Sequence, residues 1–188
     1  MRLPASVEGS ERLRLFCALR LPHETAERLT AWQREALAGV PEGRPLPPEH
    51  LHLTLAFLGH RPVEELDAIL RALREAAARA EPPLLSLRGY RETRSVGMLT
   101  FDDADGRAAA LAVDLHERLA ALGVYEPERR KWLPHVTVLR FRRRPGLRPS
   151  LPDDLQPFVP SDAAAFLSRL RPDGARYEVL ESMAVGGR

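Results

Sequence analysis

Two hydrophobic periods take turns along this chain. Arg12-Leu13-Arg14-Leu15-Phe16-Cys17-Ala18-Leu19 alternates and then becomes wholly apolar, which predicts a first strand. Pro22 suits a helix's first turn, and Ala26, Leu29, Trp32, Ala36 and Leu37 fall on one helical face running to Gly39. A proline-rich loop from Pro41 to Pro48 leads into the β-forming run His52-Leu53-Thr54-Leu55-Ala56-Phe57-Leu58-Gly59. Pro62 opens a second helix, with Leu66, Ile69, Leu70, Leu73 and Ala77 at helical spacing, and Pro82-Pro83 ends it. Leu84 to Tyr90 and Val96 to Phe101 predict two strands. Asp105 is placed to cap a third helix carrying Leu111, Leu115, Leu119 and Leu122 up to Gly123, with His116 on it as a surface or satisfied histidine.

A further strand is predicted over residues 131–141, containing Pro134-His135-Val136-Thr137-Val138-Leu139-Arg140. Pro145 to Pro160 is a loop, and Ala163 to Leu170 and Tyr177 to Val185 form a hairpin around the turn sequence Pro172-Asp173-Gly174. The order of elements predicts two similar α+β halves, each with one histidine-bearing strand. No close internal repeat accompanies it.

Size and composition narrow the class. The 188 residues, 44% hydrophobic and 29% charged, suit one soluble domain with a real core. Residues 12–188 are read as a single bilobal unit and residues 1–11 as a flexible leader. No stretch is long and apolar enough to cross a membrane, and the first residues lack the apolar core of a signal peptide. The lone Cys17, in an apolar strand, reads as a buried structural thiol and suits a reducing cytoplasm.

Net charge is only +2, yet it is unevenly spread. Between Arg129 and Leu151 stand Arg129, Arg130, Lys131, Arg140, Arg142, Arg143, Arg144 and Arg148, with no acid among them. A solvated face would look the same, but this run brackets the second histidine strand. Arginine matches phosphate geometry, so a polyanionic substrate gains weight.

The candidate chemistry sits on the two histidine strands. A strand turns residues i and i+2 to one side, so His52 with Thr54, and His135 with Thr137, would each present an imidazole beside a hydroxyl. With six histidines and six threonines, chance yields about 0.2 His-x-Thr tripeptides, so two are unexpected. Facing one another, the two strands would supply an acid, a base and two donors to an anionic oxygen. His50 and His52 could share a face toward a metal, but no ligand cluster accompanies them. Nucleophile-elbow, Walker and dinucleotide glycine motifs are absent, so neither a serine hydrolase nor a nucleotide cofactor is indicated.

These residues resemble a known family. Paired His-x-Thr motifs are similar to those of the 2H phosphoesterases, and most closely to RNA 2′,3′-cyclic phosphodiesterases, first called 2′-5′ RNA ligases (LigT-like, ThpR-like). The resemblance runs through Arg14 to Pro22, Pro48 to Gly59, Pro134 to Arg140 and Pro172 to Leu180. It implies a two-lobed α+β fold, with two antiparallel sheets flanked by helices around a V-shaped cleft. It also implies hydrolysis of an RNA terminal 2′,3′-cyclic phosphate to a 2′-phosphomonoester without metal or cofactor, with reversible 2′-5′ ligation as an accompaniment. By the same resemblance His52 is the proton donor and His135 the proton acceptor. Thr54, Thr137 and Arg140 then hold the phosphate, and Phe57 lies near the nucleobase.

Two expectations sit uneasily with strand geometry. Arg140 and Phe57 each stand five residues after their histidine, an odd offset that a regular strand would turn away. Arg140 reaches the phosphate only if its strand bends or bulges. Histidines near the unperturbed pKa of about 6.5 could hold opposite protonation states at neutral pH, giving a bell-shaped rate profile. The expected partners are RNA ends bearing 2′,3′-cyclic phosphate, acted on by a monomer away from any membrane. The competing readings are a 2H phosphoesterase for a small cyclic phosphate such as ADP-ribose 1′′,2′′-cyclic phosphate, and an RNA-binding module without turnover.

Overall fold

The computed structural model describes Val7 and residues 11–40, 43–128, 130–172 and 174–187. Eight strands and three helices follow in the order β1 (Arg12–Arg20), α1 (His23–Ala36), β2 (Arg44–Pro45), β3 (His52–Pro62), α2 (Leu66–Arg79), β4 (Leu85–Glu92), β5 (Val96–Asp103), α3 (Arg107–Ala121), β6 (His135–Arg140), β7 (Asp162–Arg171) and β8 (Gly174–Met183). The second histidine strand starts at His135, later than residue 131. The leader expected over residues 1–11 lies outside the described residues except for Glu11 and Val7, and Val7 is buried in the core. Asp173 of the expected hairpin turn also lies outside them.

The strands run β4-β5-β6-β3-β1-β7-β8, all pairings antiparallel, with β2 added to β6. Two antiparallel sheets were expected, and they form two four-stranded halves continuous through one residue pair. Leu53 opposite Val136 is the pairing between β3 and β6. Those two residues are the middle positions of the two His-x-Thr motifs.

Both faces of β1 are covered, which explains its wholly apolar second half. Leu13, Leu15, Cys17 and Leu19 join the main core, together with Leu66, Ile69, Leu70 and Leu73 of α2 and Leu111, Leu115 and Leu119 of α3. Phe16 and Ala18 point the other way and join Ala164 and Phe166 in a smaller cluster against Tyr177. Burial pushes the Cys17 thiol up to about 12, so it stays an unreactive structural group.

The start of α3 corrects one expectation. Its N-cap is Gly106, in the left-handed region at φ 68°, rather than Asp105. The exposed N–H groups of Ala108 and Ala109 instead donate to the carboxylate of Asp103 at 3.2 and 2.8 Å. A carboxylate on the end of β5 thus serves the helix terminus, where it also faces the positive end of the dipole.

Candidate active site

The seam between the two sheet halves is where the chemistry gathers. Antiparallel pairing at Leu53 and Val136 places His52 next to Thr137 and Thr54 next to His135. The imidazoles therefore occupy one diagonal of a four-residue cluster and the hydroxyls the other. Leu53 and Val136 are fully buried on the opposite side, while the four polar residues are partly exposed. His52, Thr54, His135 and Thr137 line one hollow of about 130 Å³ with Arg14, Phe16, Leu46, His50, Phe57, Arg140 and Tyr177.

The odd offsets of Phe57 and Arg140 are resolved by two bulges. On β3, Ala18 pairs with Thr54 and Cys17 with Ala56, so Leu55 is an extra residue. On β6, Met98 pairs with Thr137 and Gly97 with Leu139, so Val138 is extra. Each bulge shifts the side-chain phase by one. Residues 52–57 and 135–140 accordingly share one burial sequence: two half-buried polar positions separated by a buried one, a buried pair, then an exposed residue. That last residue is Phe57, half exposed, on one strand and Arg140 on the other. Both line the hollow.

At each bulge the carbonyl of the extra residue is met by a side chain from a helix, and that of Val138 also accepts from the Leu46 backbone N–H at 3.0 Å. His116 of α3 donates through Nε2–H to the Leu55 carbonyl at 2.7 Å. Gln33 of α1 donates from Nε2 to the Val138 carbonyl at 2.6 Å and to the Leu46 carbonyl at 3.1 Å. His116 is thus a satisfied histidine, as expected. The buried Gln33 was not singled out from the sequence.

Each candidate catalytic histidine is held by a backbone carbonyl two residues earlier. His52 Nδ1 lies 2.7 Å from the His50 carbonyl, and His135 Nδ1 lies 2.8 Å from that of Leu133. A carbonyl only accepts, so Nδ1 carries the hydrogen in both rings and Nε2 is left for the cleft. The Thr54 and Thr137 hydroxyls make no protein hydrogen bond among the described residues, which leaves them available as donors.

The two histidines differ in their surroundings. His52 stacks on Phe16 (centroids 4.9 Å apart) and on Phe166 (5.9 Å), with Tyr177 edge-on at 5.6 Å. Burial pushes its pKa down to about 4. The neighbouring His50, His135 and Arg140 push the same way, and the hydrogen bond to the His50 carbonyl opposes them. The expectation that this imidazole sits near 6.5 is therefore corrected: burial among these rings keeps His52 neutral at pH 7. His50, to which no role was given, packs against Tyr177 with centroids 4.3 Å apart and is itself lowered by burial.

Arg14, Phe16 and Tyr177 are cleft residues that carried no assigned role in the sequence. Arg14 lies over the Phe57 ring, 4.6 Å from its centroid, and donates to the Ser168 hydroxyl. The signal for it was parity: Arg14, Phe16 and Ala18 share the face of β1 opposite to Leu13, Leu15 and Cys17. Among the described residues no group of three or more His, Cys, Asp or Glu side chains is arranged to hold a metal ion.

A family model described as LigT like Phosphoesterase matches residues 19–94, which include the first motif. An RNA 2′,3′-cyclic phosphodiesterase of Thermus thermophilus is 34% identical over 93% of this chain and 91% of its own length. The chain belongs to the LigT-like phosphoesterases of the 2H family. Among solved LigT-like structures, TT0787 of Thermus thermophilus has a TM-score of 0.78 and 29% identity, covering 93% of this chain and 99% of that one. Escherichia coli LigT in complex with 3′-AMP has a TM-score of 0.74 and 26% identity, covering 94% and 99% respectively. The α+β architecture and the curled antiparallel sheet are those of these LigT-like neighbours.

Proposed function

We propose that this protein hydrolyses the terminal 2′,3′-cyclic phosphate of RNA to a 2′-phosphomonoester, with His52 and His135 as its acid and base. The observation that carries the reading is the diagonal placement of two Nε2-presenting imidazoles in one small hollow. In-line displacement at phosphorus requires the entering and leaving oxygens on opposite sides, and a diagonal pair offers that.

On this reading His135 Nε2 takes a proton from water as the water oxygen bonds to phosphorus. The bond from phosphorus to O3′ breaks, and His52 Nε2–H delivers a proton to O3′. Thr54 and Thr137 donate to the non-bridging oxygens, and Arg140 balances their charge. His52 needs its proton for this, so the incoming phosphate anion must raise its pKa from about 4. Return to the starting state requires His135 to lose a proton and His52 to regain one. Phe57, backed by Arg14, offers a flat face to the nucleobase.

We read residues 12–188 as a single bilobal domain, whose two halves each supply one imidazole and one hydroxyl to the hollow, so that a monomer would carry a complete site. The single buried cysteine supports a reducing cytoplasm. No described helix is long and apolar enough to cross a membrane. Reverse 2′-5′ ligation would use the same residues, with an RNA 5′-hydroxyl in place of water.

Incubation with an oligonucleotide ending in 2′,3′-cyclic phosphate, in EDTA, tests the reading. The expected product carries its phosphate on O2′, and His52→Ala or His135→Ala slows its formation at least about 100-fold. Oligonucleotide binding without product would instead favour the RNA-binding module.

A further inference from the structure

The hollow around the histidines holds only about 130 Å³, less than a typical ligand pocket. It has room for the reacting group but not for a nucleotide chain. Two larger hollows adjoin it, of about 510 and 520 Å³. Phe57 is shared between the central hollow and the first, and Arg140 between the central hollow and the second. Because β3 and β6 are antiparallel, residues 57 and 140 lie on opposite sides of the Leu53–Val136 pair, so the flanking hollows extend the cleft in opposite directions.

Their charge separates them. The Phe57 side is lined by Glu126 and Glu128 along with Arg61 and Tyr125, and Arg61 is already engaged by Glu65. The Arg140 side is lined by Gly43, Arg44, Ser95, Phe141 and Arg142, with no acid among the described residues. Arg44 pairs directly with Arg140 across β2 and β6, so two guanidinium groups project from facing positions of the sheet. Like charges placed opposite one another destabilise a strand pair. Among the described residues, no acidic side chain forms an ion pair with Arg44, Arg140 or Arg142 to offset that repulsion.

The loop that carries Arg142 is fixed in place. Glu92, whose side chain is 2% exposed, accepts from Arg144 Nε at 3.1 Å and from the backbone N–H groups of Gly146 and Leu147 at 3.0 and 2.9 Å. Burial alone would raise this carboxyl, but the Leu147, Arg144 and Gly146 donors outweigh it and hold it below the usual range. Arg144 is thus committed to anchoring the loop, while Arg142 is left facing the hollow.

We propose that Arg44 and Arg142, with the Ser95 hydroxyl beside them, form a second phosphate subsite that takes the phosphodiester next to the cyclic phosphate. This makes a polynucleotide end, rather than an isolated cyclic nucleotide, the substrate for which the cleft is built. The proposal rests on the cyclic-phosphodiesterase reading and specifies the substrate class for that site. It divides the basic run by role: Arg140 serves the reacting phosphate, Arg142 the next one, and Arg144 the loop.

The test compares a mononucleoside 2′,3′-cyclic phosphate with a dinucleotide ending in one, which adds a single internal phosphodiester. Wild-type protein is expected to show about tenfold higher kcat/KM on the dinucleotide, mostly through KM, as one charge-assisted phosphate contact would give. Arg44→Ala/Arg142→Ala should remove that gain and leave the mononucleotide rate within about twofold, which also shows that the variant is folded. Its dependence of log kcat/KM on log salt for the dinucleotide should flatten by about 0.7, the share of one single-strand phosphate. Arg143→Ala, whose side chain lines none of the three hollows, should behave as wild type. Equal wild-type rates on both substrates, or equal losses on both in the double variant, would overturn the subsite and leave the phosphodiesterase reading standing. Turnover of neither substrate would overturn both.

Discussion

At the scale of single residues, the two halves of the cleft are alike in geometry and unlike in environment. Both imidazoles are fixed through Nδ1 by a carbonyl two residues back, so both aim Nε2 at the same space. His52 is enclosed by Phe16, Phe166 and Tyr177, whereas no comparable aromatic ring packs on His135 among the described residues. That enclosure lowers the proton affinity of His52. A histidine titration by NMR should find His52 near 4 in the free protein and well above that once a nucleoside phosphate is bound. A value unchanged by the ligand would remove His52 as the proton donor. The sign for stability follows from the same shift. Between about pH 6.5 and pH 4 the unfolded chain takes up a proton that folded His52 refuses, so stability falls with falling pH across that window, by up to about 3 kcal/mol.

At the scale of elements, the important features are the bulges at Leu55 and Val138, which bring Phe57 and Arg140 round to the histidine side. The strands, helices and paired motifs are legible in the sequence because their periods of 2 and 3.6 are written in apolar positions. The bulges are written there too, less plainly. His-Leu-Thr-Leu-Ala-Phe and His-Val-Thr-Val-Leu-Arg both follow the threonine with two apolar residues, where regular alternation would allow one. What the sequence could not reveal is Gln33. A polar residue on a helix face reads as exposed until the Val138 and Leu46 carbonyls are seen above it. Nor could it place Arg14 over Phe57, since that contact depends on the β1–β3 register. Gln33→Leu keeps the helix but leaves the Val138 carbonyl with one donor fewer and removes a bond to Leu46. It should cost about 2 kcal/mol in urea unfolding, with the m value unchanged. It should also lower kcat/KM, because the bulge sets where Arg140 points. Unchanged stability together with unchanged kcat/KM would show that Gln33 does not hold the bulge.

At the scale of the whole molecule, two four-stranded halves meet at one residue pair and exchange support across it. The α1 helix, which follows β1, reaches over to β6 through Gln33, and α3, which precedes β6, reaches back to β3 through His116. Trp132, just ahead of β6, donates to the Thr54 carbonyl at 2.9 Å and adds another tie. A seam so narrow in pairing, yet braced from both sides, lets each half contribute one imidazole and one hydroxyl to a shared hollow. The clearest test of this arrangement is a crystal structure of the protein with a nucleoside 2′-monophosphate, the product of the proposed reaction. The phosphorus should lie in the seam, with His52 Nε2 and His135 Nε2 each within hydrogen-bond distance of a different oxygen, on opposite sides of it. A phosphate bound outside the seam, or one reached by a single histidine, would contradict the account.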